Sequence, residues 1–133
     1  MKNTTVQIDV GGYPFSVEVV ETPKKRAQGL MGRKYLHNGT GMIFRLEGGP
    51  AQFHMKNTLI PLDILYLDNS GVVLMKDQMH PHVGRSSCNG DVHSVLELPA
   101  GTCDELSVEV GDKISLGEQD PLRDMVYESL IRE

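Results

Sequence analysis

The chain has 133 residues, 39% of them hydrophobic and 23% charged, a composition that suits one ordinary globular domain. Its formal charge is −5, with no stripe of Lys and Arg interleaved with aromatic residues, which argues against sequence-independent nucleic-acid binding. No run reaches the ~20 apolar residues of a membrane span, and the opening Met1-Lys2-Asn3-Thr4-Thr5 lacks the apolar stretch of a signal peptide.

The expectation is a soluble chain that stays where it is made, in a cytoplasm or in a phage particle assembled there. Trp is absent and aromatic residues make up 5%. The core must therefore rest on Val, Ile, Leu and seven Met, which fill irregular gaps well.

Val6, Ile8 and Val10 alternate with polar residues, Gly11-Gly12 supplies a turn, and Phe15, Val17 and Val19 alternate again. This pattern predicts a β-hairpin. Thr22 then suits a helix N-cap, and Pro23 suits the first helical position, where its missing N–H is no loss. Ala27, Leu30 and Met31 fall on one face, predicting a helix of about three turns that ends near Gly32.

Further on, Gly41 to Phe44 and Ala51 to Met55 read as short strands separated by Glu47-Gly48-Gly49-Pro50. Leu62 to Leu67 is apolar almost throughout and predicts a central strand covered on both faces. Asp68-Asn69-Ser70-Gly71 turns it into Val72 to Lys76. Residues 77–90 read as a long loop rich in His, Ser and Gly. Val92 to Leu98 predicts a strand, Thr102 to Leu106 a single helical turn, and 108–114 a closing hairpin. With no strand–helix–strand rhythm, the chain is expected to be mainly β. The expected form is a compact antiparallel barrel or sandwich over residues 1–117, with one short α-helix after the first hairpin.

Residues 118–133 differ in character. Asp120 can cap a helix with Pro121 at its first position, and Leu122, Met125, Val126 and Leu130 share one face. A C-terminal amphipathic helix is expected there. It either packs on its own domain or docks another protein or a second copy through residues 119–133.

Signatures of the commonest enzyme classes are missing: there is no GxGxxG, no GxxxxGKS phosphate loop, no GxSxG and no HExxH. The densest polar feature runs from Phe53 to Asp63. Here a strand ends, and Lys56, Asn57 and Thr58 offer a cation, an amide and a hydroxyl in succession. Asp63 opens an apolar strand, where an unpaired carboxylate is expensive to desolvate, so it needs a partner such as Arg33 or Lys56. The candidate ligand-binding residues are Arg33, His54, Lys56, Asn57, Thr58 and Asp63. A plain structural reading stands beside this one: Asn57 and Thr58 satisfy a tight turn and Asp63 pins it.

His80-Pro81-His82 with Cys88 and His93 has metal-ligand residue types, but structural zinc sites use tighter pairs. A solvated histidine-rich loop is the preferred reading, and no metal or cofactor is expected. Cys88 and Cys103 form no CxxC motif and read first as two ordinary thiols, with a disulfide or a shared metal as the alternative.

Several ordered segments resemble the domain-of-unknown-function 192 family of bacteria, archaea and phages. They are Thr22-Pro23 through Gly29-Leu30-Met31 with Arg33, then Gly41-Met42-Ile43-Phe44, and the hallmark run from Met55 to Ile64. Val95-Leu96-Glu97-Leu98-Pro99-Ala100-Gly101 and Val110-Gly111-Asp112 complete the pattern. The resemblance implies a compact β-rich barrel or sandwich and implies no activity. The chain departs from it at His54, where many members carry Trp, in the loop 78–90, and in the helix expected after Leu116.

Three functions follow as expectations. The leading one is a non-catalytic module binding a small polar or anionic ligand at the Lys56-Asn57-Thr58 turn. The alternatives are an assembly protein docking through residues 119–133, and a small hydrolase or transferase with His54 or Asp63 as general base.

Overall fold

The computed structural model describes residues 4–115; the helix expected over 118–133 lies outside them. Thr5–Val10 (β1) and Tyr13–Val20 (β2) pair antiparallel around Gly11-Gly12. Both glycines take positive φ, +59° and +90°, as a tight two-residue hairpin turn demands. Asp9 Oδ1 accepts the Gly12 N–H at 3.0 Å. Strand alternation buries Val6, Ile8 and Val10 and leaves Thr5, Gln7 and Asp9 outside.

Pro23–Gln28 (α1) starts as its sequence predicts, with Thr22 Oγ1 accepting the Lys25 N–H at 3.1 Å. It ends at Gln28, four residues before Gly32, because Gly29 adopts φ +47° and its N–H closes on the Lys25 carbonyl. No residue of α1 is buried. Its covering role passes to Leu30 in the turn that follows, which is buried. Thr40–Arg45 (β3) then runs parallel to β2. The β2–α1–β3 unit is thus a strand–helix–strand crossover, which corrects the expectation of a wholly antiparallel fold.

The remaining elements are Ala51–His54 (β4), Leu62–Leu67 (β5), Val73–Met79 (β6), Arg85–Cys88 (β7), Ser94–Pro99 (β8) and Thr102–Glu105 (α2). One six-stranded sheet has the order β1-β2-β3-β8-β5-β6, and β4 pairs with β7 in a separate two-stranded ribbon. β7 falls inside the stretch read as loop. Its polar Arg-Ser-Ser-Cys sequence carries no strand signature, and pairing along β4 holds it in place. Ser86 of β7 is anchored from the main sheet by the Tyr66 hydroxyl at 2.8 Å.

The six-stranded sheet is not a closed barrel. Residues 112–115, expected as part of a hairpin, instead reach between its two edges through single bridges, Asp9 to Ser115 and Val72 to Lys113. The architecture is sandwich-like and mainly β. No helix among the described residues is long and apolar enough to cross a membrane.

Alternating residues of the central strands feed two apolar clusters, one on each face. Ile43, Leu65, Leu67, Leu96 and Leu98 join Val6, Ile8, Val17 and Cys103 on one face. Met42, Phe44, Ile64, Tyr66 and Val95 join Leu30, Met55 and Cys88 on the other. Cys88 and Cys103 are free thiols, held in different clusters. Burial first, then the Asp63 carboxylate, pushes the Cys103 thiol up to about 12, so it stays protonated at neutral pH.

Strand register places Glu18, Met42, Glu97, Ile64 and Asp77 in one row across the second face. Gly41 makes that row possible. A Cβ there would lie 2.5 Å from the Glu97 carbonyl oxygen, so β3 and β8 approach this closely only with glycine in place.

Asp63 lies on the first face. Neither Arg33 nor Lys56 partners it. Its Oδ2 accepts the Cys103 N–H at 2.8 Å and its Oδ1 the Gly101 N–H at 3.2 Å. These are free amides at the start of α2, so a buried carboxylate ties the central strand to the helix that follows β8. Asp63→Ala strands both amides and is expected to lower unfolding free energy by about 3 kcal/mol in urea titration. A change under about 1 kcal/mol contradicts this role.

Candidate functional site

The second face of the sheet is covered incompletely. α1 with its following turn lies on one side, the arm of residues 46–54 on the other, and a cleft of about 490 Å³ opens between them. Phe44 and Glu97 from the sheet, Arg26 and Leu30 from the α1 side, and Phe53 and His54 from β4 line it, with Thr58 at one end.

The arm is pinned from below. Asp91 Oδ1 accepts the Gly49 N–H at 2.8 Å, and Oδ2 sits 3.3 Å from His93 Nε2. The Gly49 amide, then His93, hold the Asp91 carboxyl below the usual carboxylate range. Across the cleft, Arg26 donates to the Arg45 carbonyl at 3.2 Å. That bond tethers α1 to the end of β3.

The hallmark turn supplies one of the lining residues, Thr58. Thr58 N–H bonds the Met55 carbonyl at 2.9 Å, closing a turn in which Asn57 takes φ +59°. Asn tolerates this left-handed conformation better than most residues. The Asn57 carbonyl accepts the Gly32 N–H at 3.0 Å, and the Thr58 carbonyl accepts the His82 N–H at 3.1 Å. The backbone of the turn thus fastens the α1 side to the 80–84 loop. His54 Nδ1 accepts the Lys56 N–H at 3.2 Å, which leaves its Nε2 as a donor.

Of the six candidate residues from the sequence, the fold brings His54 and Thr58 into this cleft. Lys56 and Asn57 are exposed on the same turn and line no part of it. Arg33 is engaged elsewhere, bonding Glu18 at 2.7 Å and 3.1 Å beside a second depression that includes Tyr35 and His37. Asp63 faces the opposite side of the sheet and caps α2. Among the described residues no group of three or more His, Cys, Asp or Glu is placed to hold a metal ion. His82, in a turn at φ +68°, does not extend from His80 as a strand pair would.

The residue that sequence reading passed over is Glu97. It is 5% exposed and lies at the cleft floor. Its row neighbours on β3 and β5 are the apolar Met42 and Ile64. Among the described residues nothing is hydrogen-bonded or ion-paired to its carboxyl. Burial alone raises it from 4.5 to about 8, so the free protein holds it protonated at neutral pH. The signal was present in Ser94-Val95-Leu96-Glu97-Leu98: one acid inside a strand whose other side chains are buried on both faces.

Comparison with known proteins follows the same core. The model of the DUF192 family, described as Uncharacterized ACR, matches residues 4–116. The chain is similar to a solved protein from Sinorhizobium meliloti 1021, described as a candidate transcription regulator, at 31% identity and TM-score 0.82. The match covers 86% of this chain and 95% of that one. It is also similar to a solved protein of unknown function from Novosphingobium aromaticivorans DSM 12444, at 30% identity and TM-score 0.78, over 84% of each chain. No curated protein matches.

The buried acid makes stability depend on pH. Below about 4.5 Glu97 is protonated in both folded and unfolded chains; between 4.5 and about 8 only the folded chain keeps the proton. Its contribution to stability is therefore complete at low pH and is lost as pH rises toward 8, by on the order of 5 kcal/mol. Glu97→Gln removes that slope. Urea unfolding at about pH 5 and about pH 8.5 is expected to show the variant's advantage over wild type growing by several kcal/mol at the higher pH. An equal difference at both values contradicts the assignment.

Proposed function

We propose that this chain, which belongs to the DUF192 family, is a binding module that takes one small polar molecule in the cleft over Glu97. The observation that carries the reading is Glu97 itself: a residue 5% exposed at the floor of a polar-rimmed cleft, with no protein partner for its carboxyl among the described residues. A buried polar group left unpaired typically weakens the fold by about 1–3 kcal/mol. A ligand that hydrogen-bonds to Glu97 turns that weakness into binding energy.

The other polar groups of the cleft fit such a guest. The Thr58 hydroxyl donates and accepts, His54 Nε2 donates, and the Arg26 guanidinium retains further N–H groups beyond the one spent on Arg45. The volume of about 490 Å³ lies in the range of small-molecule sites. Lys56 and Asn57 line no part of the cleft, but the turn they form sets the position of Thr58. A net charge of −5 favours a small guest over a nucleic acid here.

The test is a titration of the isotope-labelled protein with sugars, nucleotides and amino-acid derivatives, followed by amide NMR. One class is expected to shift Gly29, Gly48, Phe53 and Thr58 together. Thr58→Val and Glu97→Gln should each weaken that ligand tenfold or more, the equivalent of about 1.4 kcal/mol. Shifts that avoid these amides, or affinities unmoved by both substitutions, overturn the reading.

A further inference from the structure

We infer that the molecule held in this cleft carries a cationic nitrogen, an alkylammonium or guanidinium group, seated between the Glu97 carboxylate and the rings of Phe44 and Phe53. The inference rests on the binding-site reading above and names the chemistry of the guest.

Among the described residues no cation is hydrogen-bonded or ion-paired to Glu97, although the Arg26 guanidinium lines the same cleft. Within the sheet, Met42 and Ile64 flank it in the row, so neither neighbouring strand offers a donor at that level. From β5, Tyr66 turns its hydroxyl to Ser86, and burial pushes its phenol up to about 12, so it stays neutral. From α1, Arg26 spends one guanidinium nitrogen on the Arg45 carbonyl. On β4, His54 Nδ1 is turned to the Lys56 amide. Further along the row, Glu18 is neutralised by Arg33. Glu47 on the arm adds a second acid to the cleft lining.

The second half of a cation site is aromatic. Phe44 and Phe53 both line the cleft, edge to face with centroids 4.9 Å apart and planes at 74°. Ring faces attract a desolvated cation, and the attraction grows as water is excluded. A carboxylate and two aromatic rings thus line one cleft, an anion and two quadrupoles that each attract a cation. Charge-assisted hydrogen bonds from ammonium or guanidinium N–H groups to Glu97 are the strong kind. A neutral guest would leave the carboxyl protonated and use neither half fully.

Binding then couples to a proton. The cation pairs with the ionised carboxylate, so entry of the guest expels the proton that Glu97 carries in the free protein. Affinity therefore rises with pH until Glu97 is ionised without help.

The experiment uses butylammonium as the probe and butanol as its neutral counterpart, titrated into the labelled protein between pH 6 and 9. Butylammonium is expected to shift the cleft amides, with affinity rising about fifty-fold from pH 6 to pH 8 and levelling above. Butanol should bind at least tenfold more weakly. Glu97→Gln should remove both the ammonium binding and its pH dependence, with its amide spectrum confirming the fold. The wild-type pH series stands without the variant. Equal binding of the two probes, a flat pH profile, or ammonium binding that survives Glu97→Gln overturns the inference. If neutral polar probes shift the cleft amides and butylammonium does not, this inference falls and the binding-site reading stands. If no probe shifts them, both fall.

Discussion

A carboxylate stripped of water must be met by donors or give up its charge. Two buried acids on neighbouring strands of this sheet take the two different routes. Asp63 and Glu97 sit one register step apart, since Asp63 pairs with Leu98 and Ile64 with Glu97, and strand alternation sends them to opposite faces. Asp63 meets the amides that open α2 and becomes a structural tie. Glu97 meets Met42 and Ile64, finds no donor among the described residues, and holds a proton instead. The site depends on that unequal outcome. A partnered Glu97 would be a second tie, and the cleft above it would have no chemical focus.

The cleft exists because the two faces of the sheet are covered by different means. On the Asp63 face, side chains from β1, β2 and the segment through Ile114 complete a continuous apolar cluster. On the Glu97 face, α1 buries none of its own residues, and coverage falls to Leu30 and the β4–β7 ribbon. Between these two covers a strip of sheet stays open. The tethers that hold the strip's borders are local and polar: Arg26 to Arg45, Gly49 to Asp91, Gly32 to Asn57. Such bonds fix the width of an opening without filling it, whereas apolar packing would tend to close it.

Much of the scaffold was legible from residue pattern. Val6, Ile8 and Val10 around a Gly-Gly turn gave the first hairpin, Thr22-Pro23 marked the helix start, and the apolar run at 62–67 marked a central strand. These features rest on local physics, such as alternation, capping and φ at a turn. What was not legible depends on distant partners. β7 is polar and becomes a strand through β4. The parallel pairing of β2 with β3 depends on how the chain returns from α1. Residues 112–115 serve two sheet edges at once, a role no hairpin pattern describes. The hallmark run drew attention to side chains, yet much of its work is done by backbone, through the Asn57 carbonyl and the Thr58 amide. Glu97 was visible as one acid in an apolar strand, but its meaning required knowing that both flanking strands present hydrocarbon beside it.

The central claim is that Glu97 is an acid kept neutral by burial at the floor of an open cleft. Carbon-13 NMR of its side-chain carboxyl, followed through a pH titration of the unliganded protein, reads that state directly. The account predicts a transition centred near 8. A midpoint at or below the ordinary 4.5 would mean that donors or water already stabilise the charge, and would contradict it.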